Sequence, residues 1–188
     1  MKVPHFCVCF WLFVGFVGQA QTTTLTSLSS GLYLENSAIT TLQSTISSDR
    51  HTMLYEAIKM ADLEELLNRK GPFTFFAPSN TAFSRFNDEE WDALFKEENK
   101  QQLKQLLTYH MVAGNLTASK ILQALCRGEG QTSFTTIQGT KLHAFIRGID
   151  IVLRDAKGNE AIITSADASH SNGVVHQIDS IILPPGMD

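Results

Sequence analysis

The chain has 188 residues, is 43% hydrophobic and 18% charged, and carries a formal net charge of −4, a size and composition suited to one domain with one core. Its basic residues are scattered, with Lys100, Lys104, Lys120, Arg127, Arg147 and Arg154 spread over the second half. That spread argues against nucleic acid and against an anionic membrane surface as partners.

Lys2, the apolar run Phe6 to Val17 and the small residues of Gly18-Gln19-Ala20 read as a secretory signal over residues 1–20, the run being too short to span a bilayer. Cleavage before Gln21 makes the mature chain more acidic and removes Cys7 and Cys9, leaving Cys126 alone. No intrachain disulfide can then form, so the core has to suffice by itself. Two readings stand for Cys126: a small buried apolar residue near a helix end, or an intermolecular disulfide, which an oxidising compartment permits. The C-terminal stretch Leu183 to Asp188 shows no hydrophobic tail, so no membrane anchor is expected.

Residues 21–37 are rich in Ser and Thr and are expected to be a flexible lead-in, while Ile39, Leu42 and Ile46 recur at helical spacing. Leu54, Ala57, Ile58 and Ala61 predict a helix from Thr52. Asp62 with Glu65 predicts a fresh cap for a second one, which Gly71-Pro72 ends. Phe73 to Ala77 is apolar on both alternating sets of positions apart from Thr74, the pattern of a central strand covered on both faces. Pro78 should stop its pairing, and Ser79 or Asn80 should cap a short helix through Phe83. Asn87 with Glu90, then Asn99 with Gln102, predict two further helix starts. In the second of these, Leu103, Leu106, Leu107 and His110 stand at i, i+3, i+4 and i+7, which turns His110 inward and leaves Tyr109 on the flank. Gly114 ends that helix, and Thr117 caps another over Ala118 to Leu125.

Beyond it the period changes from 3.6 to 2. Strands are predicted over Thr132 to Ile137, Thr140 to Phe145, Ile149 to Arg154, Ala161 to Thr164 and Val174 to Leu183, with turns at Gln138-Gly139, Asp155 to Asn159 and Asn172-Gly173. Helices first and strands later make the fold class α+β.

Three segments together resemble a known family. Gly71-Pro72-Phe73-Thr74-Phe75-Phe76-Ala77-Pro78-Ser79-Asn80-Thr81-Ala82-Phe83 is similar to the first signature of the fasciclin-like adhesion domain, Asn172 to Asp179 to the second, and Tyr109-His110 to the Tyr-His motif between them. The resemblance covers residues 38–185 and leaves 186–188 as a tail. It implies a wedge of N-terminal helices packed on a C-terminal, mostly antiparallel sheet, with the two signature strands adjacent, in a secreted protein. In animal members, the Tyr-His segment and an Asp-Ile pair before the second signature are implicated in integrin-dependent adhesion. Here Tyr109 and His110 match the first, and Asp167 falls at the acidic position of the second. Ala168 stands where that motif has Ile, so the apolar anchor is missing, which weighs against an integrin as the receptor.

Catalysis is not expected. Gly-x-Ser-x-Gly is absent, and the Ser, Asp and His of Ser165 to His170 are sequence neighbours that point apart on a strand or turn. None of His51, His110, His143, His170 and His176 forms a metal-ligand pair by spacing; His170 and His176 flank a turn and are read as capped or surface imidazoles, so no metal and no cofactor is expected. Asn115-Leu116-Thr117 is an N-glycosylation sequon in a predicted loop. The reading that results is a secreted matrix or cell-adhesion module with an extracellular protein partner, a matrix component or a cell-surface receptor, and with self-association through Cys126 in reach. The alternatives are a carrier of a small apolar ligand held between helices and sheet, and a structural protein of a mineralised or cuticular matrix.

Overall fold

The first helix, α1 (Thr52–Met60), forms where Leu54, Ala57 and Ile58 recur on one buried face. The structure is a computed structural model and describes residues 48–69, 71–85 and 88–187, all within one unit, Ile39–Asp188. The secretory signal, the Ser/Thr-rich lead-in, the helix expected around Ile39 to Ile46 and the Asn87 cap lie outside the described residues. The short α2 (Glu64–Leu67) starts after Leu63, not at Asp62. Asp62 sits at φ 50° and its carboxylate pairs with Lys100 at 2.6 Å, so the expected Asp62–Glu65 cap does not form.

β1 (Phe73–Pro78) is buried from Thr74 onward, and Ser79 caps α3 (Asn80–Phe83) by accepting from the Ala82 amide at 3.2 Å. After α4 (Asp88–Leu94) and a 3₁₀ turn (Glu97–Asn99) comes α5 (Lys100–Tyr109). Asn99 does not cap α5 with its side chain; its Nδ2 donates back to the Ala93 carbonyl at 2.8 Å. β2 (Met111–Ala113), three residues long, was not expected. Thr117 caps α6 (Ala118–Arg127) as predicted, accepting from the Lys120 amide.

Four antiparallel strands and a parallel one complete the chain: β3 (Gln131–Thr135), β4 (Lys141–Arg147), β5 (Asp150–Arg154), β6 (Glu160–His170) and β7 (Gly173–Ile178). β6 runs well past the predicted Thr164, because Ser165 to Ser169 are small, exposed residues that carry no apolar alternation to read. β7 stops at Ile178, well short of Leu183. There the Asp179 carboxylate accepts from the Ile162 amide at 2.8 Å, and the Leu183 amide donates to Asp155, not to a strand partner.

The sheet order is β2-β1-β7-β6-β5-β4-β3. β1 and β7 run parallel, side by side; the other pairs are antiparallel. The two outer strands approach each other through a Val112–Thr136 bridge and an Ile137 amide donating to the Met111 carbonyl at 2.9 Å, so the sheet curls and covers its own edges. At the β1–β7 seam the backbones meet so closely that a Cβ on Gly173, φ 156°, would lie 1.9 Å from the Phe73 carbonyl oxygen.

Alternation along β1 and β7 divides the core in two. Phe75, Ala77 and Val175 face the helices and pack with Leu54, Ile58, Leu103, Leu106 and Leu107. The same face includes Trp91, whose ring lies 4.5 Å from that of Phe83 and 4.7 Å from that of Phe95. Phe76 and Ile178 face the other way, into a cluster with Tyr109, Ile121, Leu125, Leu142 and Leu153. Each aromatic or branched side chain so enclosed contributes about 1.5–3 kcal/mol by leaving water.

Candidate interaction surface

The Tyr-His pair ends α5, and both members are buried. His110 is turned inward as its spacing predicts. Its Nδ1 donates to the Leu106 carbonyl at 2.8 Å and its Nε2 accepts from the Ile182 amide at 3.3 Å, which ties the end of α5 to the segment after β7. Enclosure disfavours the charged imidazolium and holds the His110 pKa down at about 4. Tyr109 is not on a flank, as expected, but fully enclosed: its hydroxyl donates to the Lys141 carbonyl of β4 at 3.1 Å. Burial, with the nearby charge of Asp155, pushes its phenol up to about 12. In this arrangement neither side chain offers surface to a partner; the pair joins the helical layer to the sheet.

Asp167 lies on the surface. It stands in β6 where the register with β7 slips between Ser165 and Ala168, the mark of a bulge, and its backbone is at φ 62°. Its carboxylate Oδ1 accepts from the Ala118 amide at 2.7 Å and so supplements the Thr117 cap at the start of α6. Its own amide donates to Nδ1 of His176 at 3.2 Å.

His176 is the hub beneath this surface. It has no exposed area, stacks on Phe76 with ring centroids 5.7 Å apart, and donates from Nε2 to the Leu116 carbonyl at 2.7 Å. Burial lowers its pKa, against the opposing pull of the Leu116 carbonyl and the Asp167 charge. Thr74 of β1 grips the same loop: its hydroxyl donates to the Gly114 carbonyl at 2.7 Å and accepts from the Leu116 amide at 2.8 Å. Thus Thr74 and His176, side chains of the two signature strands, hold the 114–118 loop and the 165–168 bulge next to each other. Asn115, the sequon residue, is exposed in that loop, with its carbonyl accepting from Lys120 Nζ at 2.9 Å.

Cys126 is exposed at the end of α6, which corrects the expectation of burial. The buried face of α6 is carried by Ile121 and Leu125, and Cys126 lies about 100° further round the helix, beside the partly exposed Leu122. His170 pairs in the β6–β7 ladder with Gly173, while His176 is turned toward Leu116 and Asp167. Among the described residues no group of three His, Cys, Asp or Glu side chains is placed to hold a metal ion, and no helix is long and apolar enough to cross a membrane.

A second clamp, like that of Thr74 and His176, was not expected from the sequence. Asp155, buried in the turn after β5, accepts at Oδ1 from the Lys157 and Asn159 amides, both at 2.9 Å, and at Oδ2 from Asn159 Nδ2 and the Leu183 amide. The Asp-x-x-Gly-Asn composition signalled the turn; the tie to Leu183 has no local signal.

A helical layer on a curled sheet, with its first and last signature strands paired in parallel inside that sheet, defines the class. Residues 49–184 match the fasciclin domain, and the chain belongs to that family. A solved FAS1 domain pair from the insect cell adhesion molecule fasciclin I shares the fold, with a TM-score of 0.64 over 77% of this chain and 50% of that one at 19% identity. Protein sll1483 of Synechocystis sp. is 33% identical, covering 98% of this chain and 99% of its own length. Transforming growth factor-beta-induced protein ig-h3 of Sus scrofa is 34% identical over 73% of this chain, which spans 18% of that protein. Periostin of Homo sapiens is 28% identical over 72% of this chain, which spans 15% of it.

Proposed function

We propose that the chain is a secreted extracellular-matrix or cell-adhesion module that binds a protein partner and performs no catalysis. In this reading residues 1–20 are a signal, 21–37 a lead-in, 38–185 the fasciclin domain and 186–188 a tail. The observation that carries it is the surface around Asp167: an exposed carboxylate on a bulge at φ 62°, tied to α6 and to His176, beside an exposed sequon loop. A surface ordered before contact loses little conformational freedom on binding, which favours recognition by a weak adhesive site. The exposure of Asn115 suits a glycan acceptor. Tyr109 and His110 act in this reading by holding the frame.

The exposure of Cys126 supports self-association, two copies joined when their thiols are oxidised to a disulfide by extracellular disulfide exchange. Avidity from paired copies would then strengthen single weak contacts.

The test is attachment of the source organism's cells to the immobilised secreted protein, with albumin as the reference surface and Asp167→Asn as the variant. Asn at position 167 keeps an acceptor for the Ala118 amide and removes the charge. Attachment well above albumin is expected, reduced about threefold or more in the variant, the size of a weak exposed charge contact. Attachment equal to albumin would overturn the adhesion reading, and an unchanged variant would remove Asp167 from it.

A further inference from the structure

Three histidines of this domain are buried, and they hold different things. His51 meets the Pro78 carbonyl at the end of β1, and His110 joins the end of α5 to Ile182. His176 alone has its two ring nitrogens on two surface segments, donating from Nε2 to Leu116 in the 114–118 loop and accepting at Nδ1 from Asp167 on the β6 bulge. This fixes the tautomer. A proton can add only at Nδ1, and adding it there sets one N–H against another, so the bond from the Asp167 amide is lost while the bond to Leu116 remains.

The two segments are not equally dependent on the ring. Thr74 holds the loop a second time, through Gly114 and Leu116. The bulge, strained at φ 62°, keeps its carboxylate contact to Ala118 and a bond at 3.4 Å from the Ser169 hydroxyl to the Asp167 carbonyl, neither of which engages the Asp167 amide, in addition to the ladder around it. We propose that His176 is an acid-operated latch: protonation of Nδ1 releases the Asp167 backbone from β7 while the 114–118 loop stays clamped.

The charged group acting on the ring is Asp167 on β6, whose carboxylate favours the imidazolium; Lys120 of α6 is held at the Asn115 carbonyl of the adjoining loop. β1 presents the uncharged Phe76 and Thr74. Enclosure sets the latch to open on the acid side of an ordinary histidine. Opening also frees the Asp167 carboxylate to leave Ala118 for the new N–H⁺, an exchange of partners that would reshape the surface a partner meets. The latch is a property of the isolated domain, so its failure and the failure of the adhesion reading are separable.

Residue-resolved amide hydrogen exchange on the full secreted protein, corrected for intrinsic rates, tests it between pH 7 and pH 4.5. Protection of the Asp167 amide should fall about tenfold or more, with Leu116 of the clamped loop keeping its own, while Phe75 and Val175 report global stability. In His176→Gln, whose amide can accept from Asp167 and donate to Leu116 but does not titrate, Asp167 protection should be flat across that range. Constant Asp167 protection in the wild type, an equal fall in the variant, or an equal fall at Leu116 would each overturn the latch. Should His176→Gln not fold, Asp167→Asn decides: the transition persists, displaced to lower pH, if the histidine titrates, and disappears if the carboxylate was the titrating group.

Discussion

β7 has two edges, and they are built to different standards. Toward β1 it pairs without interruption from Gly173 opposite Phe73 to Ile178 opposite Pro78. Toward β6 the register slips twice, between Ile163 and Ser165 and again between Ser165 and Ala168. The first edge lies between the two apolar clusters, where any slip would turn Phe75 and Phe76 onto each other's faces. The second passes under solvent, where Ser165 to Ser169 have no buried face to lose and a bulge can aim Asp167 outward. One strand therefore serves as frame on one side and as mount for the surface on the other.

The frame edge should break most severely at Gly173. A Cβ there would sit 1.9 Å from the Phe73 carbonyl oxygen and within 2.9 Å of two further Phe73 backbone atoms, so the strands have to separate to admit it. Gly173→Ala should lower the free energy of unfolding by about 4 kcal/mol, at the upper end for single substitutions. The same change at Gly139, where φ is 85° but nothing lies within 4 Å of the added Cβ, should cost about 1 kcal/mol from backbone strain alone. Urea unfolding of the two variants checks the ranking, and comparable losses would mean that close approach at the seam is not what selects glycine.

Acid should act on the same frame through His110. Its folded pKa, about 4, lies below the ordinary 6.5, so as pH falls below 6.5 the unfolded chain takes up the proton first. Stability should be whole above pH 6.5, decline down to about pH 4 and level off below, with about 3 kcal/mol from this residue. His51 and His176, also lowered, act in the same sense. Unfolding midpoints in urea at pH 7, 5.5 and 4.5 measure the slope, which should flatten in His110→Gln. An unchanged slope would place the acid sensitivity elsewhere.

The contrast between edges also explains what could be read from the sequence. β1 was legible because Phe73 to Ala77 is apolar on both faces apart from Thr74, and α1 and α5 because their buried apolar residues recur at helical spacing. The family signatures placed β1 and β7 side by side, a pairing about 100 residues apart that no local pattern encodes. The surface was not legible. β2 is too short to show a period, and the outer half of β6 is small and polar throughout. Tyr109 lies off the leucine stripe and reads as flanking, but that side of α5 is covered by β4, contributed from more than 30 residues away. Thr74 and His176 meet the 114–118 loop across 40 to 60 residues, so a lone threonine in an apolar strand and a histidine in a motif gave no hint of a shared clamp.

The mount edge should yield much smaller effects, and their order tests what Asp167 does there. The residue meets two demands: an acceptor for the Ala118 amide and tolerance of φ 62°. Asp167→Asn meets both and should change stability by less than about 0.5 kcal/mol. Asp167→Gly meets only the second and should lose about 1 kcal/mol, the size of a lost helix cap. Asp167→Ala meets neither and should lose about 2 kcal/mol, the missing cap plus the left-handed penalty. Thermal or urea unfolding at pH 7 gives the series directly. If Asn proved as costly as Ala, the carboxylate charge, rather than the cap and the backbone, would be what anchors the bulge to α6.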